Sequence, residues 1–165
     1  MQTMMLATIM VCVLITLLEV IGTKVNPVSG IHNLPREIQE RVHAMPQYQG
    51  KLGRILSTKE RIVKKLPALV LLLVVFTGVV YVAGARNFLQ GFVYTFLMWA
   101  VVKLYVSLVL VCGWYAHTPS MWIPGTTDMK ASYQNYKFYL SSIPRSLLAG
   151  TLVGAIIGVI IQLAA

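Results

Sequence analysis

Four apolar runs, each about as long as a helix must be to cross a bilayer, constrain this chain more than any other feature. They cover Met4 to Gly22, Pro67 to Ala85, Gly91 to Gly113 and Ser146 to Ala164. The hydrocarbon core of a bilayer is about 30 Å thick and an α-helix rises about 1.5 Å per residue, so roughly 20 mostly apolar residues suffice. In lipid, backbone N–H and C=O groups must find partners within the protein, which makes each run a helix. The expected fold is therefore all-α. It is a polytopic membrane protein, a four-transmembrane-helix bundle making a single domain over residues 1–165. A hydrophobic content of 57% and a mean hydropathy of +0.72 lie outside the range of soluble chains. The first run lacks a basic leading segment and an A-x-A site, and Glu19 stands where cleavage would begin. It is expected to stay as a helix, not to be removed as a signal peptide.

Charge sets the orientation. Of 14 Lys and Arg, twelve fall in the two long connections, residues 23–66 and 114–145, while Arg86 sits in the tight connection and Lys103 inside a run. Four spans put both long connections on one side, and basic flanks stay in the cytoplasm. The expected topology is N-out and C-out. The net charge of +9 is then an orientation signal, with attraction to anionic headgroups of the lipid bilayer as its second consequence and no role for nucleic acid.

Both connections carry amphipathic patterns. Leu34, Ile38, Val42 and Met45 recur at helical spacing after Pro35, with Arg36, Glu37, Glu40 and Arg41 on the other faces. A second stretch, Leu52 to Leu66, sets apolar residues against Lys and Arg, with Ser57-x-x-Glu60 as a capping box. Beyond the third run, Trp114, Tyr115 and Trp122 are interfacial anchor types. Asp128 is placed to cap a helix in which Met129, Tyr133, Tyr136, Leu140 and Ile143 share one face, ended by Pro144. These stretches are expected as amphipathic interfacial helices on the cytoplasmic side, or more plainly as solvated loops.

In the fourth run Ser146, Gly150, Gly154 and Gly158 repeat every four residues and leave one face nearly bare, so another backbone can approach closely. A helix of the same chain, through small residues such as Gly78 and Gly84, and a helix of a second copy both satisfy this.

Few residues offer chemistry. Glu19 and Lys103 are ionisable groups inside runs, where a charge is costly and so marks function. Counted from the inner ends they differ in depth by about six positions, roughly 9 Å, so a direct pair needs a tilt. His117 and Asp128 flank the Pro-Gly turn, and with His32 and His43 they could supply acid/base groups. The catalytic candidates are thus His117, Asp128 and Glu19. No H-x-x-x-H or H-E-x-x-H spacing exists, so no metal is expected. Cys12 and Cys112 suggest neither a disulfide nor a metal site, and there is no P-loop, dinucleotide fingerprint, G-x-S-x-G or C-x-x-C. No cofactor is expected.

The segments Trp114-Tyr-Ala-His117, Ile123-Pro-Gly-Thr126-Thr-Asp128-Met129, Asn33-Leu-Pro35 and Ile38-Gln-Glu-Arg41 resemble a family of small uncharacterised bacterial four-span membrane proteins. That resemblance spans most of the chain and implies a bacterial cytoplasmic (inner) membrane but no activity. Members tend to be acidic where this chain has Val106, Val111 and Thr127. In size, span count and basic first connection the chain is also similar to glutathione-linked membrane enzymes of the eicosanoid class. Their Arg-Ala-His after Glu-Arg is replaced here by Glu40-Arg41-Val42-His43-Ala44, and likeness of architecture does not carry function. The expected role is a non-enzymatic accessory subunit or small transport component, with a protein partner or a homo-oligomer possible. The alternative is a small enzyme acting on a lipid or amphiphile at the cytoplasmic interface, with His117 as acid/base.

Overall fold

The computed structural model describes residues 2–28, 30–50 and 58–164, with the side chains of 58–65 and of 68 outside that description. Every regular element among the described residues is helical, with no strand. Helix α1 spans Gln2–Val25, α2 Arg36–His43, α3 Pro46–Gln49, α4 Thr58–Val82, α5 Phe88–Leu104, α6 Lys130–Tyr133, α7 Tyr136–Leu140 and α8 Ser142–Ala164. Among the described residues three helices are long and apolar enough to cross a membrane: Gln2–Val25, Phe88–His117 and Ser142–Ala164. Helix α4 carries a shorter apolar stretch, Leu69–Val82, and runs unbroken through Pro67 instead of starting there. The capping box at Ser57 and most of the Leu52 to Leu66 stretch lie outside the described residues.

The chain divides into two compact units. The first comprises residues 1–11, 55–103 and 144–165. Its core is Phe76, Val80, Ala85, Met98, Val153, Ile157 and Ile161, and α8 buries a stripe from Gly150 to Ile161 at helical spacing. Helix α4 ends in a Schellman motif: Ala85 N–H donates to Val80 O at 3.2 Å and Gly84 N–H to Tyr81 O at 3.0 Å. Gly84 takes φ +96°, a left-handed conformation that costs glycine nothing. Arg86 then lies 4.3 Å over the Tyr81 ring and donates to Tyr81 O and Ala85 O at 2.8 Å. Asn87 Oδ1 accepts from Gln90 N–H at 3.0 Å while Gln90 Oε1 accepts from Arg86 N–H at 2.8 Å, which satisfies donors at the start of α5.

Within this unit the bare face of α8 meets α5. A Cβ on Gly150 would fall 2.6 Å from Trp99 Cδ1, one on Gly154 3.2 Å from Phe92, and one on Gly158 2.8 Å from Phe88 O. Trp99 Nε1 donates to Ser146 O at 2.9 Å, and Phe88 N–H donates to Gln162 Oε1 at 3.0 Å. The small residue opposite Gly158 is Gly91. Neither Gly78 nor Gly84 has anything within 4 Å of an added Cβ.

The second unit comprises residues 12–54 and 104–143. Beyond α5 the helix widens into π-helical turns, Tyr105–Trp114, and closes with a 3-10 turn at Tyr115–His117. It therefore extends past Gly113, where the apolar run stops. The two long connections fold onto one core, which includes Ile31, Leu34, Ile38, Val42, Tyr48, Trp122, Ile123 and Tyr133. Leu34, Ile38 and Val42, the face expected to rest on the membrane, are covered by protein instead. Trp122, expected as an interfacial anchor, is 5% exposed. Its ring stacks on Tyr133 at 4.5 Å with an interplanar angle of 2°, and its Nε1 donates to Tyr115 O at 2.8 Å.

The helix expected from Met129 to Ile143 is two short helices. Gln134 and Asn135 interrupt it, and Asn135 Oδ1 accepts from Phe138 N–H at 3.1 Å, capping α7. A short amide side chain competes for backbone donors and starts a new helix where the pattern alone reads as one. Helix α6 begins after Met129 with no side-chain cap, so Asp128 does not fill that place. Pro144 does not end a helix: it lies in the first turn of α8, where its missing N–H removes no helical bond.

Candidate functional site

The polar groups of the second unit serve two purposes, and the first is structural. Tyr133 is fully buried, and its Oη is 3.2 Å from Ile123 N and 2.7 Å from Thr126 Oγ1. Thr126 Oγ1 donates to Ile123 O at 2.7 Å. With that hydrogen committed, Tyr133 must donate to Thr126 and accept from Ile123. The closed set leaves no polar atom of the trio unpaired, as burial requires. Burial holds the Tyr133 phenol above its usual range. Tyr48 Oη donates to Pro124 O at 3.0 Å, and Gly125, at φ +89°, places Met45 3.1 Å from where its Cβ would stand. Burial also pushes Tyr139 upward, and its Oη has no hydrogen-bond partner among the described residues.

The second purpose is a cleft of about 220 Å³ on the outer side of this core. Its polar lining is His117, Thr127, Lys130 and Gln134, and its apolar side is Ala116, Pro119 and Trp122. Lys130 and Gln134 stand four positions apart, and Gln134 N–H donates to Lys130 O at 3.0 Å, so one helical turn presents both. His117 Nδ1 lies 3.1 Å from Gly113 O. A carbonyl only accepts, so Nδ1 carries a proton, and Nε2 is in hydrogen-bond contact with Tyr136 Oη at 3.2 Å. Tyr136 stacks on the imidazole at 18°. The His117 ring is thereby held as a wall of the cleft, both nitrogens engaged.

The other residues singled out in the sequence lie elsewhere. Asp128 and Glu19 are exposed and do not line the cleft. His32 and His43 are exposed on the first connection. Lys103 is half-buried at the end of α5 and belongs to the first unit, whereas Glu19 belongs to the second. Among the described residues no three of His, Cys, Asp and Glu come together as a metal site would require. Sequence reasoning overlooked Lys130 and Gln134. Their spacing of four is the available signal, but in sequence Lys130 is one of twelve cations in the long connections and nothing sets it apart.

Comparison with known protein families, with curated proteins and with solved structures finds no match to this chain. Its function must be argued from its own residues.

Proposed function

We propose that this chain is a non-enzymatic integral membrane protein, an accessory subunit or small transport component, whose working surface is the folded cap made by its two long connections. One observation carries the reading. The candidate acid/base groups do not meet: the cleft that holds His117 includes neither Asp128 nor Glu19, and both ring nitrogens of His117 are bonded within the protein. A general base needs a free nitrogen within reach of its substrate's proton, and here that nitrogen faces a tyrosine hydroxyl.

Four spans, a bacterial inner membrane and an N-out, C-out orientation complete the proposal. Helix α4 supports the fourth span. Its apolar stretch Leu69–Val82 reaches about 21 Å, and the flanking apolar residues of the Pro67 to Ala85 run lengthen it toward the roughly 30 Å of hydrocarbon. The basic residues of both long connections support a cytoplasmic cap. The polar groups Glu19 and Lys103 would then order the bundle or line a path.

The test is purification of the intact protein in mild detergent, with light scattering for stoichiometry and mass spectrometry for what co-purifies. A protein partner at fixed stoichiometry supports the subunit reading. Turnover of a co-purifying lipid, abolished by His117→Ala in a protein that still folds, would overturn it. A C-terminal reporter active only outside the cytoplasm checks the orientation.

A further inference from the structure

We propose that the cleft beside His117 binds the phosphate of an anionic phospholipid headgroup. The inference rests on the membrane reading alone and not on the subunit role.

Depth is the first argument. Ala116 and His117 line the cleft and are the last residues of the 30-residue apolar helix Phe88–His117. At helical rise such a segment is about 45 Å long, beyond the roughly 30 Å of hydrocarbon and close to the 40–45 Å that includes the headgroups. Wider π turns shorten it somewhat. A helix of this length that crosses the bilayer ends among the headgroups, and the cleft opens at its end.

Chemistry is the second argument. Among the described residues, Lys130 is the one charged side chain of the lining, and no carboxylate joins it there. Its ammonium offers three donors, the Gln134 amide two more and the Thr127 hydroxyl another. A phosphate diester presents acceptors only, so these donors suit it, whereas no carboxylate among the described lining residues is there to pair with a zwitterion's cationic end. Pro119 and Trp122 form the apolar side, against which the glycerol and first methylenes of a lipid can lie. The cleft volume of about 220 Å³ suits a headgroup rather than a whole lipid. A free phosphate shares the acceptor chemistry but leaves that apolar side uncovered.

The experiment is native mass spectrometry of the full-length protein in detergent, titrated with short-chain phosphatidylglycerol, with phosphatidylcholine and with inorganic phosphate. The variants are Lys130→Gln and, at equal net charge, Lys137→Gln on α7, outside the cleft. Lys130 and Lys137 are both exposed, so each variant is expected to fold, and near-ultraviolet circular dichroism checks it. The expected result is saturable binding of phosphatidylglycerol over phosphatidylcholine, weakened about tenfold by Lys130→Gln, as for loss of a charge-assisted hydrogen bond, and unchanged by Lys137→Gln. Equal weakening by both variants would mean diffuse attraction to a basic surface and overturn the site. Equal binding of both lipids would overturn the headgroup assignment. Displacement by millimolar inorganic phosphate would overturn the lipid as its source. None of these readouts depends on a protein partner, so the subunit reading and this one fail separately.

Discussion

The two units bury their interiors by opposite means. In the first, glycines at 150, 154 and 158 let α8 approach until the side chains and backbone of Phe88, Phe92 and Trp99 fill the space. In the second, large side chains such as Trp122, Tyr133 and Tyr48 are themselves buried, and their polar ends are tied to backbone carbonyls or to one another. On the membrane reading proposed above, the difference follows the solvent around each core, lipid for the α5–α8 seam and water for the folded connections. Lipid is as apolar as leucine, so helices gain little by hiding apolar surface and associate by closeness of fit. Residues that leave water gain from burial itself, but any polar atom carried in must find a partner. The first unit is therefore sensitive to added volume and the second to lost volume and lost hydrogen bonds.

The largest expected effect comes from adding volume to the first unit. Gly158→Leu sets a side chain against Phe88 O, at 2.8 Å from the Cβ position, and a helix backbone cannot step aside as a flexible side chain can. Overpacking of this kind costs about 3 kcal/mol or more. Loss of the folded species on gel filtration is the expected readout. Gly78→Leu on α4, where a Cβ meets nothing within 4 Å, is expected to stay within about 0.5 kcal/mol of the parent. Equal behaviour of the two variants would break the contrast.

Removing volume from the second unit comes next. Trp122→Ala is expected to cost about 3–5 kcal/mol, seen as a lower midpoint in thermal melts followed by near-ultraviolet circular dichroism. Tyr133→Phe keeps the ring stack and deletes only the hydroxyl, so Ile123 N–H loses its partner. The expected cost is about 1–3 kcal/mol. If Tyr133→Phe proves neutral, the cap is held by stacking alone.

Alkaline pH separates the units further. Burial raises both Tyr133 and Tyr139 above the usual 10.0 of a phenol. The unfolded phenols ionise near pH 10 while the folded ones keep their protons, so above that pH the native state binds more protons than the unfolded state. Stability is fully present below pH 10 and falls as pH rises toward the folded values, at up to about 1.4 kcal/mol per unit for each tyrosine. Melting midpoints taken from pH 8 to 11 should decline above 10, and Tyr133→Phe should shallow the decline. A flat profile would mean these phenols are not buried in the folded state.

How much of this the sequence discloses depends on what each pattern encodes. Helical spacing puts Leu34, Ile38 and Val42 on one face, but it does not say whether lipid or protein covers that face, and here Trp122, Ile123 and Tyr133 do. The glycine period on α8 marks a close approach without naming what approaches, which depends on where Phe88, Phe92 and Trp99 stand. Among the described residues apolar composition delimits three helices long enough to cross a membrane, yet the π-helical turns from Tyr105 to Trp114 use the same residue types as the α-helix before them and leave no mark. Pro144 reads as a stop because proline breaks helix interiors, while the first turn tolerates it. The cleft was least legible. Lys130 gains its meaning from His117, thirteen positions earlier in the chain, and from Trp122, neighbours that only folding supplies.

The smallest effect sharpens the contrast from the surface. Arg36 Nε and Glu40 Oε1 are 2.7 Å apart on α2, with side chains 90% and 64% exposed. The distance is that of a strong charge-assisted hydrogen bond, but at this exposure water screens the charges and both long side chains lose freedom in holding the contact. An i,i+4 pair of this kind contributes a few tenths of a kcal/mol. Its order also has the cation N-terminal, the weaker arrangement against the helix dipole. Glu40→Gln should therefore shift the melting midpoint by no more than about 1 °C for a chain of this size, and 0.5 M salt should erase even that. A larger shift would mean that α2 is held by its charged edge, whereas Ile38 and Val42, both fully buried, place its hold on the opposite face.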